Sequence, residues 1–304
     1  MYFLPFFVVA LISSILFSPF MLNSVFKVLS YLILVVAIFV LIKYLLEDEQ
    51  LQLYEHILVL VCLTLLISLI GGFLYSSVFS ISGRLNGVLG NPNFLGLFCV
   101  FTYPLVDHFK IEESIFTKRG ILVLIVLTIL CLFLTGSRNG YVSFAIYIAA
   151  TIFLFRGVSG KSVALCLGLG AFIAFIQIET LTQFIPFLND LVRPETLGTA
   201  SARSIVWPTA IDEIERQPWL GGGFEYYAYY MATFAANHGL KNVFWYGVWN
   251  TYLAFLLDTG FIGLAAYFFF IYGVIRKSAR FIFLVPFILS VLFTGMFEAW
   301  LCLR

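Results

Sequence analysis

Charge is what this sequence has least of. Among 304 residues only 11% are Asp, Glu, Lys or Arg, while 62% are hydrophobic and 18% aromatic. A soluble domain carries roughly a quarter charged residues, so this chain lacks the charge to cover a water-facing surface. The net charge of +1, from 17 basic residues spread along the chain, makes no basic patch and excludes a nucleic-acid binder. Ten-residue segments of alternating polarity are missing as well, which argues against an outer-membrane barrel. Cysteines are few: Cys62, Cys99, Cys131, Cys166 and Cys302 lie far apart inside apolar runs. No metal-ligand spacing connects them, so they read as small buried side chains. The N-terminus has neither a positive leader region nor a small-residue cleavage site, and its run to Phe20 is counted as a first helix.

What the sequence has is long apolar runs. They fall at about 2–22, 26–46, 56–79, 93–108, 120–135, 140–156, 161–178, 249–274 and 281–301. A spanning helix takes roughly 20 apolar residues, and a lipid-exposed backbone must satisfy its own hydrogen bonds. The expected fold is therefore all-α: one polytopic membrane domain over 1–304 with about nine transmembrane helices. Residues 179–248 form its large loop.

Basic residues orient the spans. The loops after even-numbered runs carry nine: Lys43, Lys110, Lys118, Arg119, Arg156, Lys161, Arg276, Lys277 and Arg280. The short odd connections and the C-terminus carry four: Lys27, Arg84, Arg138 and Arg304. An N-in, C-out topology follows as the expectation. It puts residues 80–92, the turn at Gly136 and the large loop on the external face. That loop holds 11 of the 33 charged residues, so chemistry is expected there.

Three stretches on that face are informative. In Gly83–Gly96 the glycines and Pro92 forbid a continuous helix before Asn93, which is expected to cap the fourth span. The helix start and Arg84 suit an anion; an ordinary re-entry turn is the alternative. In Thr135-Gly136-Ser137-Arg138-Asn139 a short connection keeps Arg138 near the membrane boundary, as a phosphate ligand or as a snorkelling side chain. In the large loop, an amphipathic helix is expected at about 202–216, capped by Ser201 or Thr199, with Arg203 in its first turn, unfavourable for the helix dipole. Gly221-Gly222-Gly223 reads as a hinge or a phosphate cradle. The tyrosines and tryptophans from Tyr226 to Trp249 suit an interfacial belt or sugar stacking. Asp258, about 13 Å into the eighth span at 1.5 Å per residue, is a functional candidate or a structural carboxylate beside Gly260. Glu298 returns to the external end of the last span.

Together these stretches resemble the O-antigen ligase and polymerase superfamily of bacterial membrane glycosyltransferases. The resemblance is carried by Arg84 with Gly87 and Asn91–Gly96, then Gly136-Ser137-Arg138, then Arg203 with Trp207. Pro218–Gly223 and Asn250–Leu253 with Asp258, Gly260 and Gly263 complete it, and it runs from about 84 to 265. It implies a C-type glycosyltransferase-like fold in the bacterial inner membrane. The implied activity is metal-independent and cofactor-free, with inversion at the anomeric centre. A glycan moves from an undecaprenyl-diphosphate carrier to a hydroxyl of a glycan, lipid or glycolipid acceptor outside the membrane. By motif position Arg84, Arg138 and Arg203 would bind the diphosphate, supported by Asn93, Ser137, Trp207 and Asn250.

The family's His before the Asn of the eighth-span motif is replaced here by Trp249, and indole cannot accept a proton. Candidates for the catalytic base are then His238, Glu225 and Asp258. The chain is short for the family and ends soon after Glu298, so a truncated product is one expectation. A lipid-carrier transporter or flippase, or an assembly subunit that has lost its base, are the alternative readings.

Overall fold

The computed structural model describes residues 2–48, 50–81, 83–107, 118–155, 203–237, 248–277 and 284–296. In chain order the helices are α1 (Leu4–Phe17), α2 (Met21–Asp48), α3 (Gln50–Leu74) and α4 (Ser76–Phe79). Next come α5 (Pro92–Asp107), α6 (Lys118–Thr135), α7 (Arg138–Phe155) and α8 (Arg203–Arg216). The remainder are α9 (Tyr226–Asn237), α10 (Thr251–Lys277) and α11 (Leu284–Gly295). Between α4 and α5 lies an antiparallel pair of two-residue strands, β1 (Ser80–Ile81) and β2 (Arg84–Leu85), and a 3-10 turn at Gly87–Leu89. Four described helices contain stretches long and apolar enough to cross a membrane: Met21–Val40, Glu55–Leu74, Arg138–Phe155 and Thr251–Arg276. The seventh expected run (161–178), Thr199, Ser201, His238 and Glu298 lie outside the described residues.

Two compact units make up the chain. The first comprises residues 1–40, 195–284 and 295–304. Here α1 ends at Ser18 (φ −70, ψ 130), the extended conformation that Pro19 imposes on the residue before it. The first break thus falls at 18–20, ahead of the connection expected at 22–26. As a result Lys27, counted above as a loop residue, lies within α2. Phe3, Phe7 and Ala10 around α1 pack with Val28 of α2 and with Phe224. A second core joins Val206, Ala210 and Ile214 of α8, Tyr227, Met231 and Phe234 of α9, and Ala254 and Leu257 of α10. Their spacing of three and four places each set on one helical face.

Residues 41–194 and 285–294 form the second unit. Its core runs from Leu58, Leu65 and Leu69 of α3 through Leu85 to Leu95 and Cys99 of α5, and to Leu124 and Cys131 of α6. Cys99 and Cys131 are fully buried among these apolar side chains. The α11 segment joins α7 through the Ser290 hydroxyl, which donates to the Ser143 carbonyl at 2.9 Å.

Candidate functional site

In the second unit two turns meet at one end of α5, α6 and α7. Pro92 opens α5, its fixed φ suiting the first helical position. Asn91 caps it, because Asn91 Oδ1 accepts the Asn93 N–H at 2.8 Å. The cap is therefore Asn91 and not Asn93. Pro92 has no N–H to offer, and the next donor within reach of a capping side chain is that of Asn93. The Asn93 side chain serves another partner. Arg84 Nη2 donates to Asn93 Oδ1 at 2.7 Å, and Arg84 Nε donates to the Thr135 carbonyl at 2.7 Å. One guanidinium thus ties the start of α5 to the end of α6.

Gly136 then turns the chain with φ 57, and Ser137 caps α7, its Oγ accepting the Gly140 N–H at 3.2 Å. Arg138 is the first residue of α7. Gly96 permits this closeness, since a Cβ there would lie 2.6 Å from Ser137 Cβ. Arg84, Asn93, Ser137 and Arg138 are consequently gathered where α5 and α7 both begin. Helix starts carry the positive end of the dipole, and the two arginines add full charges beside them.

The first unit is organised around a break in α10. Gly260 adopts φ 62 and ψ −167 inside the helix. A continuous helix would pair the N–H of Phe261 and Ile262 with the carbonyls of Leu257 and Asp258. Instead the N–H groups of Gly222 and Gly223 reach those carbonyls at 2.8 and 2.9 Å. The N–H groups of Phe261 and Ile262 reach the carbonyls of Pro218 and Trp219 at 2.8 and 3.2 Å. These four backbone groups, freed by the break, are each paired again. A Cβ at Gly260 would lie 2.3 Å from the Trp219 carbonyl carbon, and one at Gly221 2.6 Å from that of Asp258. The glycine run is therefore a docking strand for α10, neither the hinge nor the phosphate cradle offered by the sequence.

Asp258 sits at the centre of this junction and is only 2% exposed. Its Oδ1 accepts the Tyr227 N–H at 2.8 Å and its Oδ2 the Glu225 N–H at 3.0 Å. It caps α9 from another helix, satisfying donors that a helix start leaves open. Ser13 of α1 donates to the carbonyls of Leu220 and Asp258, and Ser14 Oγ accepts the Phe224 N–H at 3.1 Å. Glu225 itself has φ 69, a left-handed conformation that is uncommon outside glycine. Its carboxylate pairs with Lys27 of α2, both side chains being about a third exposed or less (27% and 30%).

The other candidates support this unit. Trp207 Nε1 donates to the Val248 carbonyl at 2.7 Å, holding α8 to the entry of α10. Asn250 caps α10, its Oδ1 accepting the N–H of Tyr252 and Leu253 at 2.9 and 3.0 Å. Arg203 is the first residue of α8. The Tyr226 hydroxyl donates to Glu213 Oε1 at 2.6 Å; burial, then this bond, pushes its phenol above the ordinary range.

Sequence reasoning missed Lys27, Ser13, Ser14 and Thr135 as partners. The signal for the first three is polarity: hydroxyls and an ammonium inside runs that are otherwise apolar. Thr135 contributes a backbone carbonyl, which no residue type announces.

Residues 123–268 match the family model for O-antigen ligase. No curated protein and no solved structure matches the chain.

Proposed function

We propose that this chain, whose residues 123–268 match the O-antigen ligase family model, transfers a glycan from an undecaprenyl-diphosphate carrier to an acceptor hydroxyl. The transfer takes place on the external face of the inner membrane, at the end of a bundle of about nine spans. The family match supports glycan ligation or polymerisation in a membrane.

One observation carries the reading: Arg84 and Arg138 stand on two turns that a single guanidinium ties together, at the starts of two helices. A departing diphosphate concentrates negative charge, and fixed donors aimed at that charge lower the barrier most. Arginine grips phosphate with a planar fork, so Arg84 and Arg138 hold the leaving group. The acceptor hydroxyl loses its proton to a base as its oxygen bonds to the anomeric carbon. The bond from that carbon to the diphosphate breaks, and the configuration inverts. Asp258 is a positioning residue in this scheme, since both its oxygens already accept backbone N–H groups. Glu225, presented by Asp258 and part-exposed, is the base we assign, with His238 as the alternative.

The break in α10 favours one competing reading, because carriers use discontinuous helices whose open ends bind substrate. Here the N–H groups of Phe261 and Ile262 and the carbonyls of Leu257 and Asp258 bond to residues 218–223, so these groups already have protein partners. The test is deletion and complementation with glycan profiling. Arg84→Ala and Arg138→Ala are expected to abolish polymer on the acceptor while lipid-linked glycan accumulates outside the inner membrane. Accumulation on the cytoplasmic side instead would mean transport, and unchanged polymer would remove the diphosphate clamp.

A further inference from the structure

Along α2, Asn23, Lys27, Ser30 and Leu34 recur at spacings of four and three, so they share one face of the helix. That face, with Phe26, Tyr31 and Glu225, lines an open groove of about 620 Å³ in the first unit. Polar groups gathered in a helix this apolar usually mark a ligand path. The chemistry of the lining narrows the ligand. Lys27 and Glu225 neutralise each other, so the groove offers no surplus positive charge to an anionic headgroup. It offers instead an amide at Asn23, an acceptor oxygen at Ser30, whose hydroxyl donates to the Phe26 carbonyl at 2.8 Å, the Glu225 carboxylate and an aromatic ring at Tyr31. Amides and carboxylates hydrogen-bond hydroxyls, and an aromatic ring gives a sugar an apolar face to lie on. Asn23 and Ser30 are exposed, Phe26 and Leu34 are 60% and 48% exposed, and all four face outward beside the apolar length of α2.

We infer that this groove binds the neutral, hydroxyl-rich headgroup of a glycolipid, its alkyl chain lying along α2 beyond Leu34. The Glu225 carboxylate then faces a sugar hydroxyl while Lys27 holds it in place. That this glycolipid is the acceptor rests on the glycan-transfer reading above; the binding does not.

The experiment uses the full chain in phosphatidylcholine nanodiscs and two dodecyl photoprobes, one a β-glucoside and one a phosphate, each with its diazirine on the chain carbon nearest the headgroup. Labelled residues are mapped by mass spectrometry. The glucoside is expected to label residues 23–34 and the peptide carrying Glu225, several-fold more than the phosphate does. Ser30→Trp, which fills the groove from an exposed position, is expected to lower that labelling about tenfold, the effect of 1.4 kcal/mol. Asn23→Leu, with thermal unfolding as a control for folding, is expected to lower it in the same direction. Preference for the phosphate, labelling indifferent to both variants, or no labelling of this stretch would each overturn the proposal. Glucoside labelling in a protein that transfers no glycan in cells would uphold the groove and sink the transfer reading; transfer without labelling would do the reverse.

Discussion

Asp258 holds Glu225 by its backbone: Asp258 Oδ2 accepts the Glu225 N–H at 3.0 Å, while the Glu225 carboxylate turns away to Lys27. One acid is enclosed and acts as a helix cap; the other is presented at the protein's surface. The two carboxylates offered together by the sequence as bases therefore have different environments and different tasks.

Asp258→Asn keeps the shape but replaces one acceptor oxygen with an NH2 group, which faces a backbone N–H. Leaving a buried donor without a partner costs about 1–3 kcal/mol. We expect a clear fall in the detergent-solubilised unfolding midpoint, with transfer activity lost in proportion to folded protein. By contrast, Glu225→Gln is expected to leave the midpoint nearly unchanged and abolish transfer. Retained transfer in Glu225→Gln would move the base to His238.

Gly260→Ala combines a φ of 62 with a Cβ 2.3 Å from the Trp219 backbone, so the loop and α10 cannot both stay in place. Little folded protein is expected on size-exclusion chromatography. Gly90→Ala is the comparison: its φ is 66 but nothing lies within 4 Å of its Cβ. There only backbone strain remains, about 1 kcal/mol, and folded protein should be recovered.

Arg84→Lys tests geometry against charge. Lysine keeps the charge but lacks the fork that reaches Asn93 and Thr135 together. We expect a stability loss of about 2 kcal/mol, the range for hydrogen bonds to a charged group. Because Asn93→Ala removes one of the same two bonds, the double variant should lose less than the sum of the two singles. Additive losses by denaturant titration would mean that the Arg84–Asn93 bond contributes nothing.

Tyr226 predicts an alkaline limit. Its phenol is raised in the folded protein by burial and by Glu213, so the folded state holds the proton more tightly than the unfolded state does. The stability this gives is complete below the ordinary phenol pKa of about 10 and is lost as pH rises above it. Between pH 9 and 11 the unfolding midpoint should fall more for the native protein than for Tyr226→Phe. Parallel curves would refute this.

Much was legible in the sequence because it depends on residues close together in the chain. Apolar runs must become helices in lipid, and a described helix overlaps eight of the nine runs. Proline and glycine mark where helices stop: Pro19 ends α1 and Pro92 starts α5. The arginines at turns were readable too: Arg84 lies just before the 3-10 turn and Arg138 opens α7. Other features failed to show for definite reasons. The cap moved from Asn93 to Asn91 because a capping side chain reaches past a proline to the next N–H. Lys27 reads as a loop residue until the break before it is located.

By itself, the sequence determined the class of the molecule: too little charge for water, enough apolar length for many helices, and arginines placed at turns. Only tertiary structure decided what Asp258, Gly221–Gly223 and Gly260 do. Their partners are backbone groups tens of residues away, and a backbone N–H or carbonyl is the same at every position. Which of them meets a given side chain is settled by packing, and a one-dimensional pattern does not record it.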